Sequence, residues 1–166
     1  MAMLNKVRDA AIDCLQSAGI NAGAAYPHTA VPAGHSVIRV GIVKAADESA
    51  GFAGYLGTEY DPERGTRELY GLRCSFGLSL DIYVPLSAED AAGDCLQLFD
   101  RAAGYIGVRS SGLKIHTLRC GEPAPDKTSG MMHLRGEAEG KVLLISENAD
   151  GEENFSEFVL RGELKV

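Results

Sequence analysis

The clearest pattern in the chain is an alternation of apolar and polar residues that runs without a break over residues 72–84. Successive side chains of a strand point to opposite faces of a sheet, so the alternation predicts a strand over residues 69–84 with one face in the core. The predicted core positions are Leu72, Cys74, Phe76, Leu78, Leu80, Ile82 and Val84. The opposite face is predicted to carry Arg73, Ser75, Gly77, Ser79, Asp81 and Tyr83.

Two stretches follow the 3.6-residue period of an amphipathic helix instead. The first is predicted over residues 3–18 and is followed by Gly19, the residue type that most readily adopts the left-handed conformation of a C-terminal cap. The second is predicted over residues 87–107, where Ser87 and Asp90 approximate a capping box at its start. Each helix has one apolar stripe, which we expect to pack on a sheet.

The remaining apolar stretches predict further strands. They lie at residues 36–45, at 112–120, at 131–147 as two strands or one long bent strand around Glu139-Gly140, and in the tail 156–166. The resulting order predicts an α+β fold, in which a single, largely antiparallel sheet has two helices packed on one face. We expect residues 1–166 to form one domain, since single domains commonly have about 100–200 residues.

A long polar insertion at residues 46–68 separates the first two strands and is predicted to form a projecting loop or hairpin. Asp61-Pro62 and Gly65 have the composition of a turn, with short strands on either side that would place Tyr60 and Tyr70 opposite each other or against a partner. Aromatic residues mixed with arginine are typical of protein–protein contacts. The predicted interface residues are Phe52, Tyr55, Tyr60, Arg64, Arg67 and Tyr70. The alternative is that these aromatic side chains fold back on their own domain.

Net charge argues against a nucleic-acid-binding surface. The chain has 16 basic and 23 acidic residues and a net charge of -7, whereas proteins that neutralise phosphates carry clusters of basic residues. No apolar run approaches the roughly 18–20 residues that cross a bilayer. The first residues also lack the apolar segment of a signal peptide, so we expect no export by that route.

The four cysteines and four histidines do not have the spacing of a known site. No CxxC pair is present, and we expect Cys14, Cys74 and Cys95 to be small buried side chains in a reducing compartment, with Cys120 as the exposed thiol. His28, His35, His116 and His133 form no helical ligand pair. His116 and Cys120, four residues apart in a strand, would lie roughly 13 Å from each other, too far for a catalytic dyad.

Motifs of serine hydrolases and of phosphate-binding loops are missing as well. We therefore expect a protein that is not an enzyme, with no catalytic, cofactor-binding or metal-binding residues. The alternatives are a small hydrolase with a dispersed thiol or metal site, and a small binding module that acts as a monomer or dimer.

Three stretches together carry a resemblance to a known family: residues 50–85, "AEDAAGDCLQLFDRAAGYI" at 88–106 and "FSEFVLRGEL" at 155–164. In this arrangement the chain resembles the tail terminator, or tail completion, proteins of prophages and phage-tail-like particles. The resemblance implies a homo-oligomeric ring, typically six-fold, at the head-proximal end of the tail. Such a ring ends tube polymerisation and contacts the tube and, in contractile tails, the sheath. The alternative role within the particle is that of a head–tail adaptor.

The same resemblance implies assembly in the bacterial cytoplasm and a final location in the virion tail or tail-like particle. It implies no cofactor, no membrane contact and no specific nucleic-acid binding, although DNA can pass through the lumen of a ring. Acidic residues around such a lumen would not hold the passing DNA. The projecting arm at residues 46–68 is then expected to reach a neighbouring subunit or the sheath.

Overall fold

The computed structural model describes residues 3–26, 30–31, 34–49, 51–63, 65–109, 112–146 and 158–161. The α+β fold predicted from the sequence is confirmed: two helices accompany a mixed, mostly antiparallel sheet. The helices are α1 (Met3–Ser17) and α2 (Ala91–Arg109). The strands are β1 (Ala22–Ala24), β2 (Val37–Ser49), β3 (Tyr55–Asp61), β4 (Gly65–Pro85), β5 (Lys114–Cys120), β6 (Ala124–Asp126), β7 (Met131–Ser146) and β8 (Phe158–Arg161).

Two long strands, β4 and β7, form the centre of the sheet, whose order is β1-β2-β4-β7-β5. The short strands β6 and β8 also pair with β7, and β3 pairs with β4. Only the β1–β2 pair is parallel among the described strands. The stretch at residues 131–147, for which the sequence allowed two strands or one, is one continuous strand.

The alternating strand buries the face that its pattern predicts. Cys74, Leu78, Leu80 and Ile82 are fully buried, and only Leu72 of the predicted core positions is partly exposed. Both helices contribute their apolar stripes to this same core, through residues such as Leu15 and Ile106, so they cover one face of the sheet. The odd-numbered positions of β4 face the other side, which we call the open face.

Local sequence signals predicted the C-terminal end of α1 correctly but placed the start of α2 too early. Gly19 has a positive φ of 73° and follows α1, as a C-terminal glycine cap requires. The predicted start of the second helix at Ser87 is wrong, because residues 86–90 form a turn and α2 begins at Ala91. Its cap is Asp90, whose Oδ1 accepts a hydrogen bond from the amide of Gly93 at 3.0 Å. This bond satisfies an amide that the first turn of the helix leaves without a partner.

We expect Asp90→Ala to lower the free energy of unfolding by about 1 kcal/mol, the usual cost of losing an N-cap side chain. Ser87→Ala is the matched control and should change it by less than about 0.5 kcal/mol, as surface substitutions away from such features do. Urea unfolding followed by circular dichroism measures both. Equal losses for the two variants would assign the cap to neither residue.

Candidate interaction surface

Of the two forms predicted for the insertion at residues 46–68, a loop or a hairpin, the structure has the hairpin. β2 continues to Ser49, and after the short 3-10 turn Phe52–Gly54 the chain resumes as β3. Both strands pair with β4: β2 pairs with its residues 72–83, and β3 pairs with its residues 65–70. The stretch has the composition of a polar loop because most of its side chains are exposed or half-buried, and Leu69, just beyond it, is the one buried large apolar residue among the described positions of 46–70. We call residues 55–70 the arm.

The tip of the arm forms the predicted turn. Asp61 pairs with Gly65, and Oδ1 of Asp61 accepts a hydrogen bond from the amide of Glu63 at 2.8 Å. Gly65 has a φ of 79°, a conformation that glycine adopts without steric cost. Arg64, one of the predicted interface residues, lies outside the described residues.

Three of the predicted interface residues share one side of the arm. Tyr55 pairs directly with Tyr70, and their rings meet edge to face with centroids 5.6 Å apart. Tyr60 is opposite Thr66 and does not face Tyr70. The register shift at Leu56 inserts one extra residue in β3, so Tyr55 and Tyr60 fall on the same side despite their odd spacing. We call this side, with Tyr55, Tyr60 and Tyr70, the tyrosine face.

The tyrosine face continues the apolar face of the sheet beyond the helices. Tyr70 precedes Leu72 and Cys74 by two and four residues, so it lies on the strand face that the helices cover further along. Neither of the two described helices covers this face at the arm: Tyr60 is 73% exposed, and Tyr55 and Tyr70 are 41% and 37% exposed. Phe52, in the turn at the base of the arm, is 93% exposed. Single exposed aromatics are common on protein surfaces, whereas here three of these four lie on one side of a short ribbon.

Arg67 lies on the opposite side of the arm from the tyrosines. Its guanidinium donates two hydrogen bonds to Oε2 of Glu59, at 2.7 and 3.2 Å, across the β3–β4 ribbon. The structure therefore does not bring Arg67 together with the aromatic residues. Tyr70 contacts a carboxylate too: its hydroxyl donates to Oε2 of Glu68 at 2.8 Å, and this bond raises the pKa of the Tyr70 phenol.

A second cluster lies on the open face, and sequence reasoning missed it. Nε2 of His133 is 2.9 Å from Oδ1 of Asp81, and the imidazole stacks on the ring of Tyr83 with centroids 4.7 Å apart. The pKa of Tyr83 is raised by burial. The three residues come from β4 and β7, 52 positions apart for the Asp81–His133 pair. The sequence placed Asp81 and Tyr83 on this face, but it carried no signal that β7 would bring a histidine beside them.

The thiols are distributed as expected for three of the four. Cys74 and Cys95 are fully buried and Cys120 is exposed, as predicted, whereas Cys14 is only half-buried. Burial raises the pKa of Cys74 to about 12 and that of Cys95 to about 11. Within the part of the chain that the structure describes, no three His, Cys, Asp or Glu side chains are placed to hold a metal ion.

Alkylation should therefore distinguish the thiols of the folded protein. At pH 8 a thiol with a pKa of about 12 is only about one part in ten thousand thiolate, the species that reacts. We expect iodoacetamide to modify Cys120 first and Cys74 and Cys95 at least about 100-fold more slowly, with all four reacting alike in urea. Peptide mass spectrometry over time measures the rates. Rapid modification of Cys74 in the folded protein would contradict the buried placement.

Comparison with known proteins identifies no family for this chain. No protein-family model matches the chain, and no curated protein matches it significantly. Among the described helices, neither is long and apolar enough to cross a membrane.

Proposed function

We propose that the protein is a structural subunit that assembles with copies of itself into a ring, six-fold in the form that its family resemblance implies. The ring would cap the head-proximal end of a phage tail or tail-like particle, end tube polymerisation and contact the tube and sheath. The observation that carries this proposal is the tyrosine face: a cluster of exposed aromatic side chains on an arm that its own helices leave uncovered.

The low stability expected of the arm by itself supports an intermolecular role. β3 has its main contacts with β4, so the arm is a ribbon of two strands, and neither described helix packs on its tyrosine face. A two-stranded ribbon is only marginally stable in water, and it gains order when a third layer packs on it. A second subunit would supply that layer. Tyrosine suits the position because it buries a large rigid area at a low cost in conformational entropy.

A ring also requires two different patches on each subunit, so that contacts run head to tail and close. The tyrosine face lies at one end of the sheet, whereas the open face with Asp81 and His133 lies on the opposite side of β4. The surfaces differ in chemistry: the first is a row of tyrosines, and the second combines ion pairs such as Lys44–Glu139 with the stacked Tyr83–His133 pair. A subunit with two unlike surfaces fits head-to-tail closure better than a two-fold dimer, which would bury the same patch twice.

The hydrolase alternative has less support from the geometry. The pKa values of about 12 and 11 keep the thiols of Cys74 and Cys95 protonated at neutral pH, so neither thiol is activated as a nucleophile. Both side chains are also fully buried and cannot reach a substrate.

The proposal is tested by mixing the protein with tail-tube subunits and imaging the mixture by negative-stain electron microscopy, beside a mass measurement of the protein alone. We expect rings, or tubes that are shortened and capped at one end. A protein that stays monomeric or dimeric at all concentrations, and leaves the tube length unchanged, would contradict the ring and favour a small binding module.

A further inference from the structure

Arg39 is a half-buried cation on the open face, near the start of β2. Within the part of the chain that the structure describes, its Nε is the one buried side-chain nitrogen or oxygen that has no hydrogen-bond partner. A charged group that is partly withdrawn from water is stabilised when an opposite charge and hydrogen-bond acceptors replace the water. The surroundings of Arg39 therefore indicate whether the described chain supplies them.

The carboxylate that is placed to pair with Arg39 is engaged elsewhere. Asp81 is directly opposite Arg39 in the register of β2 and β4, an arrangement in which opposite charges commonly pair. Instead, Oδ1 of Asp81 lies 2.9 Å from Nε2 of His133 and 3.8 Å from Nη1 of Arg135, both on β7. The Asp81 carboxylate therefore pairs with β7, and among the described residues Arg39 has no carboxylate of its own.

The guanidinium of Arg39 leans in the other direction, over β1. A Cβ on Gly23 would lie 2.8 Å from Nη1 of Arg39, so the guanidinium occupies the space that a side chain at position 23 would fill. Gly23 is in register with Arg39, and β1 is the first strand in the order of the sheet. Nη1 and Nη2 are not enclosed as Nε is, so they are accessible at this edge of the sheet.

We propose that Arg39 binds a carboxylate at this edge of the sheet through its two outer nitrogens. A guanidinium presents parallel N–H groups, whose spacing matches the two oxygens of a carboxylate. The nearby Asp81 carboxylate and the net charge of -7 disfavour an anion with two charges, such as phosphate. The ligand class is therefore an organic monocarboxylate. The site goes beyond the proposed ring and does not require it.

An acetate titration tests the site on the full-length protein. Sodium acetate replaces sodium chloride at constant ionic strength, and NMR follows the Nε–Hε signal of Arg39, which is identified by its loss in Arg39→Lys. We expect a saturable shift of this signal and of the amides of residues 22–24, with half-saturation at about 10 mM, as one charge-assisted pair gives. Phosphate, which carries nearly two charges at pH 8, should bind several-fold more weakly. Tighter binding of phosphate than of acetate, or no saturable shift up to about 100 mM acetate, would overturn the proposal.

Matched variants locate the site through the amides of residues 22–24. Arg39→Gln should abolish the response, and Arg39→Lys, which keeps the charge without the fork, should weaken binding about threefold. Gly23→Ala also should weaken it about threefold, because the added methyl group displaces Nη1 with no change of charge. Arg101→Gln removes a charge from an exposed position of α2 and should have no effect. Undiminished binding in Arg39→Gln would overturn the proposal, and Gly23→Ala preserves the test if Arg39→Gln does not fold.

A free organic acid and a carboxyl side chain of a neighbouring subunit present the same group, and sedimentation velocity distinguishes them. If assemblies dissociate as acetate replaces chloride, and Arg39→Gln weakens them too, the carboxylate belongs to a neighbouring subunit. If acetate binds and assembly is unchanged, the ligand is a free acid. Failure to assemble under any condition would contradict the ring alone, since the titration of the monomer still reports on Arg39.

Discussion

Replacing Tyr60 by alanine is expected to prevent ring assembly while leaving the melting temperature of the isolated subunit within about 2 °C of the original. Tyr60 is 73% exposed, so its removal takes little from the subunit's own packing. Aromatic residues buried at the centre of an interface commonly contribute 2 kcal/mol or more each, which is a factor of about 30 in each contact. A closed ring repeats the contact at every subunit, so the concentration needed for assembly should rise by at least that factor.

Tyr70→Ala should differ from Tyr60→Ala in a defined way. Tyr70 packs edge to face on Tyr55 within its own arm, so its loss affects assembly and also lowers the stability of the arm by about 1 kcal/mol. Because the arm is separate from the core cluster, most of this loss should appear as faster amide exchange over residues 55–70 rather than as global unfolding.

Tyr26→Ala is the matched control, since Tyr26 is 61% exposed and lies outside the arm. Sedimentation velocity measures assembly, and differential scanning calorimetry measures stability. A Tyr60→Ala subunit that still forms rings would remove the tyrosine face from the interface. A large drop in its melting temperature would favour the alternative that the aromatics stabilise their own domain.

The largest effect on stability is expected at Gly140. A Cβ there would lie 2.6 Å from Cζ of Phe76, 2.7 Å from the main-chain oxygen of Lys114 and 3.0 Å from Cδ1 of Ile115. Gly140→Ala should lower the free energy of unfolding by about 3 kcal/mol, at the upper end of overpacking costs, because one of these contacts is backbone and cannot turn away.

Gly104→Ala is the control with the opposite sign. Gly104 lies in α2 with nothing within 4 Å of its added Cβ, so alanine should raise the free energy of unfolding by about 0.5–1 kcal/mol through helix propensity. Urea unfolding measures both variants. If Gly140→Ala proves neutral, then β7 does not pack closely against Phe76 and Lys114 at this position.

A double variant separates the contact with Phe76 from the other two contacts at Gly140. Phe76→Leu shortens the side chain at its far end, so its cost in the Gly140→Ala background should be smaller than in the original protein by about 0.5–3 kcal/mol. Additive costs would show that the contacts with Lys114 and Ile115, and not the one with Phe76, account for the loss.

Gly140 also shows where the sequence was ambiguous. A glycine after Glu139 allowed either a break between two strands or a bend in one, since glycine weakens strands and often marks a close approach. The structure has a continuous strand, and the glycine is there because the ring of Phe76 occupies the space of a side chain. That reason involves residues 64 positions apart, so no local pattern could have supplied it.

The arm illustrates the same division. The sequence predicted the turn at Asp61 and Gly65 and the strands beside it, because turn residues act locally. It did not predict that Tyr55, rather than Tyr60, would lie opposite Tyr70. Register depends on the bulge at Leu56, and a shift of one residue exchanges the faces of a strand. The bulge brings Tyr55 to the side of Tyr60 and Tyr70. Arg67 lies on the other side because it is three residues from Tyr70 in the same strand.

The sequence by itself determined the α+β class, the two helices, the face of β4 that enters the core and the burial of Cys74 and Cys95. These follow from periodicity, which reports the side of an element on which each residue lies. Only the tertiary structure decided which residues meet across strands: Asp81 with His133, Lys44 with Glu139, Lys141 with Lys114. The physical reason is that cross-strand register is set by pairing and bulges between distant segments, whose energies local sequence does not record.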